Sequence, residues 1–191
     1  MGAGAKLTEL LHLLDLEQIE ENIFRAQHPA DRQGRLYGGQ IMAQALMAGG
    51  RTVPSDLRVH SLHGYFLRPG DPKVPAVIRV ERARDGRSFV TRRILVTQRG
   101  EAIFNMDASF QVVEAGLSHQ ADMPDLQPPM EEKIPAALYD DVFVTWRHEF
   151  RRLQSESPQP PEQFVWFKPT GQVPPDDLIA ACLLVFESDN V

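Results

Sequence analysis

Gly38 and Gly39 open the run Gly38-Gly39-Gln40-Ile41-Met42-Ala43-Gln44-Ala45-Leu46-Met47-Ala48-Gly49-Gly50, built of good helix formers with no β-branched run after Ile41. Backbone N–H groups at a helix start are unpaired, the helix dipole favours negative charge, and glycine lets a ligand come close. The pair is therefore a candidate oxyanion site for acyl transfer. The same two glycines are equally explained by a tight helix entry and close packing. Asp189, in Glu187-Ser188-Asp189-Asn190, follows a second helix-length run; by spacing alone it is a polar residue at a helix end. His60 and His63 suggest a metal pair, but three apart on a strand they are expected on opposite faces. No Cys or acid joins them at ligand spacing, so no metal is expected. The chain has no Gly-x-Ser-x-Gly elbow, no phosphate-cradling Gly-x4-Gly-Lys-Ser/Thr loop and no dinucleotide fingerprint, and nothing in it calls for a cofactor.

These residues need elements to hold them. In the helix from Gly38 only Gln40 and Gln44 are polar, four apart on one narrow stripe, so it is expected to be covered on most sides. Four β-branched and aromatic runs supply the cover: Leu57 to Arg68, Ala76 to Arg84, Ser88 to Arg99, and Ala102 to Val113. Asp85-Gly86 marks the clearest hairpin turn. The last run puts Ala102, Phe104, Met106, Ala108, Phe110 and Val112 on one face and polar residues on most of the other, the period of a half-buried antiparallel strand. The expected class is α+β, a sheet wrapped around a buried helix.

At 191 residues and 42% hydrophobic content, the chain can build one large core or two small ones. Its single cysteine, Cys182, lies in an apolar run and reads as a small buried hydrophobe in a reducing compartment. No secretory signal is visible, and Leu178 to Phe186 is about half the length of a membrane span. A net charge of −6 argues against nucleic-acid binding. Yet residues 57 to 100 hold ten Arg or Lys against three acids, a surplus that a phosphorylated small ligand would exploit or that solubilises the outer face of a sheet.

Pro124, Pro128, Pro129 and Pro135 mark residues 114–141 as a linker between a first domain, 1–113, and a second, 142–191. The second begins with Val142 to Leu153, forms a strand from Gln163 to Lys168, and reaches Pro174-Pro175-Asp176-Asp177, a helix-start signature. Leu178 to Phe186 has no polar face. Strand, loop and all-apolar helix thus occur twice, but the second copy lacks covering strands, so the expectation is a fragment or a helix covered by a partner.

The segments Gly38-Gly39-Gln40, Val59 through Asp71, Arg84-Asp85-Gly86-Arg87-Ser88-Phe89 and Ala108-Ser109-Phe110-Gln111, in this order, resemble the type II acyl-CoA thioesterases, the double hotdog family of bacteria and peroxisomes. The resemblance runs from about Asp15 to Asp189. It implies one complete hotdog followed by the opening of a second. It also implies hydrolysis of fatty acyl-CoA to free fatty acid and coenzyme A, a homo-oligomer formed by sheets pairing edge to edge, and a cytoplasmic or peroxisomal location. It places Asp189 as the carboxylate that orients and activates water, with a Thr or Ser and a Gln expected beyond Val191. His63 is then a candidate lining of the acyl-CoA cleft, and Arg68 a candidate contact for coenzyme A phosphates. A non-catalytic hotdog module that binds acyl-CoA or a protein is the alternative. A hotdog hydratase is disfavoured because its His and Asp set is not recognisable around Asp56-Leu57-Arg58-Val59-His60.

Overall fold

The computed structural model describes residues 5–29, 34–123, 125, 142–148 and 164–190. Its elements are α1 (Ala5–Leu14), β1 (Glu17–Glu20), β2 (Ile23–Ala26), α2 (Gly38–Gly50), β3 (Leu57–Phe66), β4 (Ala76–Asp85), β5 (Phe89–Gln98), β6 (Glu101–Val112), β7 (Phe143–His148), β8 (Phe164–Pro169) and α3 (Asp177–Ser188). The chain divides into two compact units, Leu11–Gly116 with Val173–Val191, and Met1–Leu10 with Leu117–Gln172.

In the larger unit six antiparallel strands run in the order β1-β2-β4-β5-β6-β3. The four long strands lie where the β-branched and aromatic runs predict them, within two residues at each end. β4 and β5 are joined through Gly86-Arg87-Ser88, where the Gly86 amide donates to Phe89 O. β5 and β6 turn on Arg99 (φ 51°) and Gly100 (φ 82°), both left-handed as a two-residue primed turn requires. The inner face carries Ile78, Val80, Val90, Ile94, Val96, Phe104, Met106, Ala108 and Phe110, all buried, against α2. Burying each of these side chains other than Ala108 stabilises the fold by roughly 1.5–3 kcal/mol. Ile103 is buried out of alternation because a register shift between Val96 and Thr97 sets an extra residue into β6.

α2 is covered more completely than its polar stripe predicts. Gln40 and Gln44 are each 1% exposed. Gln44 Nε2 donates to Leu13 O (2.9 Å) and Gln27 O (3.0 Å), and Gln40 Nε2 meets His28 Nδ1 at 3.2 Å. The two amides satisfy backbone and imidazole groups that would otherwise be buried without partners.

Two expectations about β-face geometry are corrected. A bulge between Val59 and Ser61 shifts the register of β3, so His60 and His63 share the outer face: His60 Nε2 meets Ser109 Oγ at 2.9 Å, and His63 stands opposite Asp107. The surplus of basic residues is not all on the outside either. Arg92 points inward from β5, fully buried. Its Nε donates to Thr52 Oγ1 (2.7 Å), and its guanidinium also donates to Thr52 O (3.0 Å) and Arg84 O (3.1 Å) and pairs with Asp85 at 2.5 Å. This ties Thr52, two residues past the end of α2, to the β4–β5 hairpin.

α3 lies antiparallel along α2, the end of one helix against the start of the other. Where α2 ends, a Cβ on Gly50 would collide with Leu178 at the start of α3. Cys182 and Leu183 are buried in the larger unit, whereas Leu184 is 54% exposed. In the smaller unit β7 and β8 form an antiparallel pair, with Phe143 edge-on to Phe167 at 5.6 Å and the Thr170 amide donating to Val142 O. Residues 114–123 are exposed and carry no regular structure, and most of the rest of the expected linker, with 149–153, lies outside the described residues.

Candidate active site

The helix that Gly38 opens has no cap of its own. Its N-cap residue is Tyr37, whose side chain makes no capping bond, and its first turn holds no acid, although Ser, Thr, Asp or Asn would normally stand there. The missing cap comes from the other helix. Asp189, the C-cap residue of α3, accepts a hydrogen bond from the Gly39 amide through Oδ2 at 3.0 Å. A carboxylate is well suited to that place, because the helix start carries unpaired N–H groups and a partial positive charge. Among the described residues the carboxylate has no other partner, and Asp189 is exposed.

The two glycines are fixed by this approach. A Cβ on Gly38 would lie 2.7 Å from Phe66 Cζ and 2.8 Å from Asp189 Oδ2. On Gly39 it would strike the Phe186 carbonyl oxygen and lie 2.6 Å from Tyr37 Cε1. Close packing is therefore what the geometry shows for both. The Gly39 amide, one of the donors expected to face an oxyanion, is already engaged by a carboxylate.

Three aromatic rings pack around the two glycines. Tyr37 stands edge-on to Phe186 at 4.9 Å and donates its hydroxyl to Phe186 O at 2.9 Å. Phe66, at the end of β3, leans on Phe104 at 4.9 Å. The loop after β3 is pinned to the entry of α2, where the Leu36 amide donates to Gly70 O at 2.9 Å. One residue past Gly39, Gln40 holds the His28 ring. Burial lowers the pKa of that ring to about 4, so it is neutral near pH 7, and its buried Nε2 has no hydrogen-bond partner among the described residues.

Of the residues picked out in the sequence, the structure brings Gly38, Gly39 and Asp189 together. His63 is elsewhere, exposed on the outer face of the sheet with its ring edge-on to Tyr65 at 4.8 Å. Arg68 follows the end of β3, where it donates to Ala102 O at 2.8 Å and faces Glu101 at 3.5 Å. Arg58, Arg68, Arg82, Arg92, Arg93 and Arg99, six of the ten basic residues between 57 and 100, face a carboxylate. Tyr37, Phe66 and Phe186 were not expected at the site. The one usable signal was a tyrosine where a helix without acids should have had a cap.

The opposite end of the helix pair is chemically different. Asp176 caps its own helix, accepting from the Leu178 (2.8 Å) and Ile179 (3.0 Å) amides, and Arg58 pairs with Asp177. A cleft of about 410 Å³ opens there between Pro54, Arg58, Phe110, Asp177 and Leu178. Among the described residues no His, Cys, Asp or Glu cluster could hold a metal ion, and no helix is long and apolar enough to cross a membrane.

An antiparallel sheet wrapped around a central helix is the hotdog fold. A hot dog protein from Alicyclobacillus acidocaldarius superposes with a TM-score of 0.71 at 23% identity, over 93% of this chain and 68% of that one. Residues 26–111 match the family described as acyl-CoA thioesterase N-terminal domain. Acyl-CoA thioesterase 2 of Haemophilus influenzae is 36% identical over 200 residues, covering 96% of this chain and 70% of that one. An acyl-CoA thioesterase II from Mycobacterium marinum has 41% identity and a TM-score of 0.78, with 95% of this chain and 66% of that chain covered. The chain belongs to the type II acyl-CoA thioesterase family.

Proposed function

We propose that this protein hydrolyses fatty acyl-CoA to free fatty acid and coenzyme A, with Asp189 as the carboxylate that holds and deprotonates the attacking water. The observation that carries the reading is the Gly39–Asp189 hydrogen bond, which holds Oδ2 of an exposed carboxylate 3.0 Å from the amide at the start of the central helix. Thioester hydrolysis needs a positioned water, a group to take its proton and donors for the oxyanion. Water adds to the carbonyl carbon as its proton passes to Asp189. The tetrahedral intermediate collapses with departure of the coenzyme A thiolate, which recovers that proton. Further groups must hold the water and the oxyanion, and such constellations act as a unit, so a protein lacking any of them is far slower.

The test is thiol release from a long-chain acyl-CoA by the 191-residue chain and by Asp189→Asn, with acyl-CoA binding measured on both by calorimetry. Turnover abolished by Asp189→Asn, with binding retained, supports the reading; equal turnover in the two proteins removes Asp189 from the mechanism. Binding without turnover, unchanged when further residues are added after Val191, would identify a binding module instead.

A further inference from the structure

We infer that Tyr37 is a positioning residue for Asp189, holding the end of α3 in the register that places the carboxylate on the Gly39 amide. This rests on the reading of Asp189 as the water-activating group. Tyr37 sits where a capping side chain belongs and makes no capping bond. Its hydroxyl instead crosses to the other helix and donates to Phe186 O at 2.9 Å, three residues before Asp189. Phe186 lies in the last turn of α3, so this bond fastens the turn that carries Asp189.

Hydroxyl and carboxylate form two crossing ties between the same helix ends. Tyr37, the N-cap of α2, reaches α3 through its side chain; Asp189, the C-cap of α3, reaches back to Gly39. The edge-on contact between Tyr37 and Phe186 at 4.9 Å sets the angle of the hydroxyl. With Gly39 against the Phe186 carbonyl there is no slack through which α3 could slide and still satisfy both bonds. Asp189 itself is exposed and has no second partner among the described residues, so its alignment depends on the turn that carries it.

The test is amide hydrogen exchange by NMR on the 191-residue chain and on Tyr37→Phe, which keeps the ring and removes only the hydroxyl. Asp189→Asn marks the position of the Asp189-dependent protection. Tyr37→Phe is expected to lower Gly39 protection roughly fivefold, the loss of one neutral hydrogen bond, while the amides of Ala45 and Leu46 inside α2 keep theirs. Where thiol release is measurable, kcat falls by a similar factor with KM unchanged. Wild-type protection of Gly39 in Tyr37→Phe would overturn the inference. A loss of Gly39 protection with no Asp189-dependent thiol release, even when further residues are added after Val191, would instead leave the positioning intact and sink the hydrolase reading.

Discussion

Replacing Gly39 by alanine drives a methyl group into the Phe186 carbonyl oxygen and to 2.6 Å from Tyr37 Cε1. The first obstacle is backbone, which cannot rotate aside as a side chain can. The helices must part, and overpacking of this kind costs about 1–3 kcal/mol, with a rigid obstacle at the upper end. Parting them also stretches the Gly39–Asp189 bond, worth about 1 kcal/mol at this exposed carboxylate. The better helix propensity of alanine returns at most about 1 kcal/mol. The net loss is about 3 kcal/mol, which for a chain of this size lowers Tm by about 6–12 °C, read by circular dichroism. Gly49→Ala is the matched control, because its Cβ would meet only the flexible tip of Ile94 at 3.2 Å and its stability should change by less than about 1 kcal/mol. If Gly39→Ala melted within about 2 °C of wild type, the helices could not be in the close contact described.

Two further perturbations probe the supports of the site. Arg92→Leu leaves the Thr52 and Arg84 carbonyls without their buried donor and should cost about 2–4 kcal/mol, seen as a lower urea midpoint at unchanged slope. Arg92→Lys recovers only part of that, since one ammonium cannot reproduce a planar fork, and a wild-type midpoint for Arg92→Leu would refute the role. His28 has a folded pKa lowered to about 4 by burial. The unfolded chain therefore takes up this proton below about pH 6.5 while the folded chain does not. Stability from this group is full above pH 6.5 and is lost as the pH falls towards 4. His28→Gln should lose less stability than wild type over that window; parallel Tm curves would contradict the shift.

Much of the fold was legible because its pattern is local. Period-two alternation and turn residues fixed the four long strands, and two all-apolar runs marked α2 and α3. What could not be read depended on register and on distant partners. The bulge at His60 adds one residue to β3 and turns both histidines outward, and no strand pattern reports a single inserted residue. Arg92 reads as one arginine among many, since only the placement of Thr52 beneath it makes an inward guanidinium affordable. In the candidate site, Asp189 came from resemblance and Gly38-Gly39 from helix-end chemistry. Tyr37 was passed over because its partner, the Phe186 carbonyl, is a backbone atom 149 residues away.

The cap of α2 is 150 residues downstream of the amide it satisfies. At roughly 5–20 residues per second, a ribosome delivers Asp189 about 8–30 s after Gly39. The hairpins of the sheet close within microseconds to milliseconds of emerging, so the core around α2 can assemble long before its terminus is capped. Of Gly38, Gly39 and Asp189, the carboxylate is thus delivered last. On a nascent chain the chemistry waits for translation to reach the end of α3, and a chain released early would carry a folded sheet with its helix start still open to water.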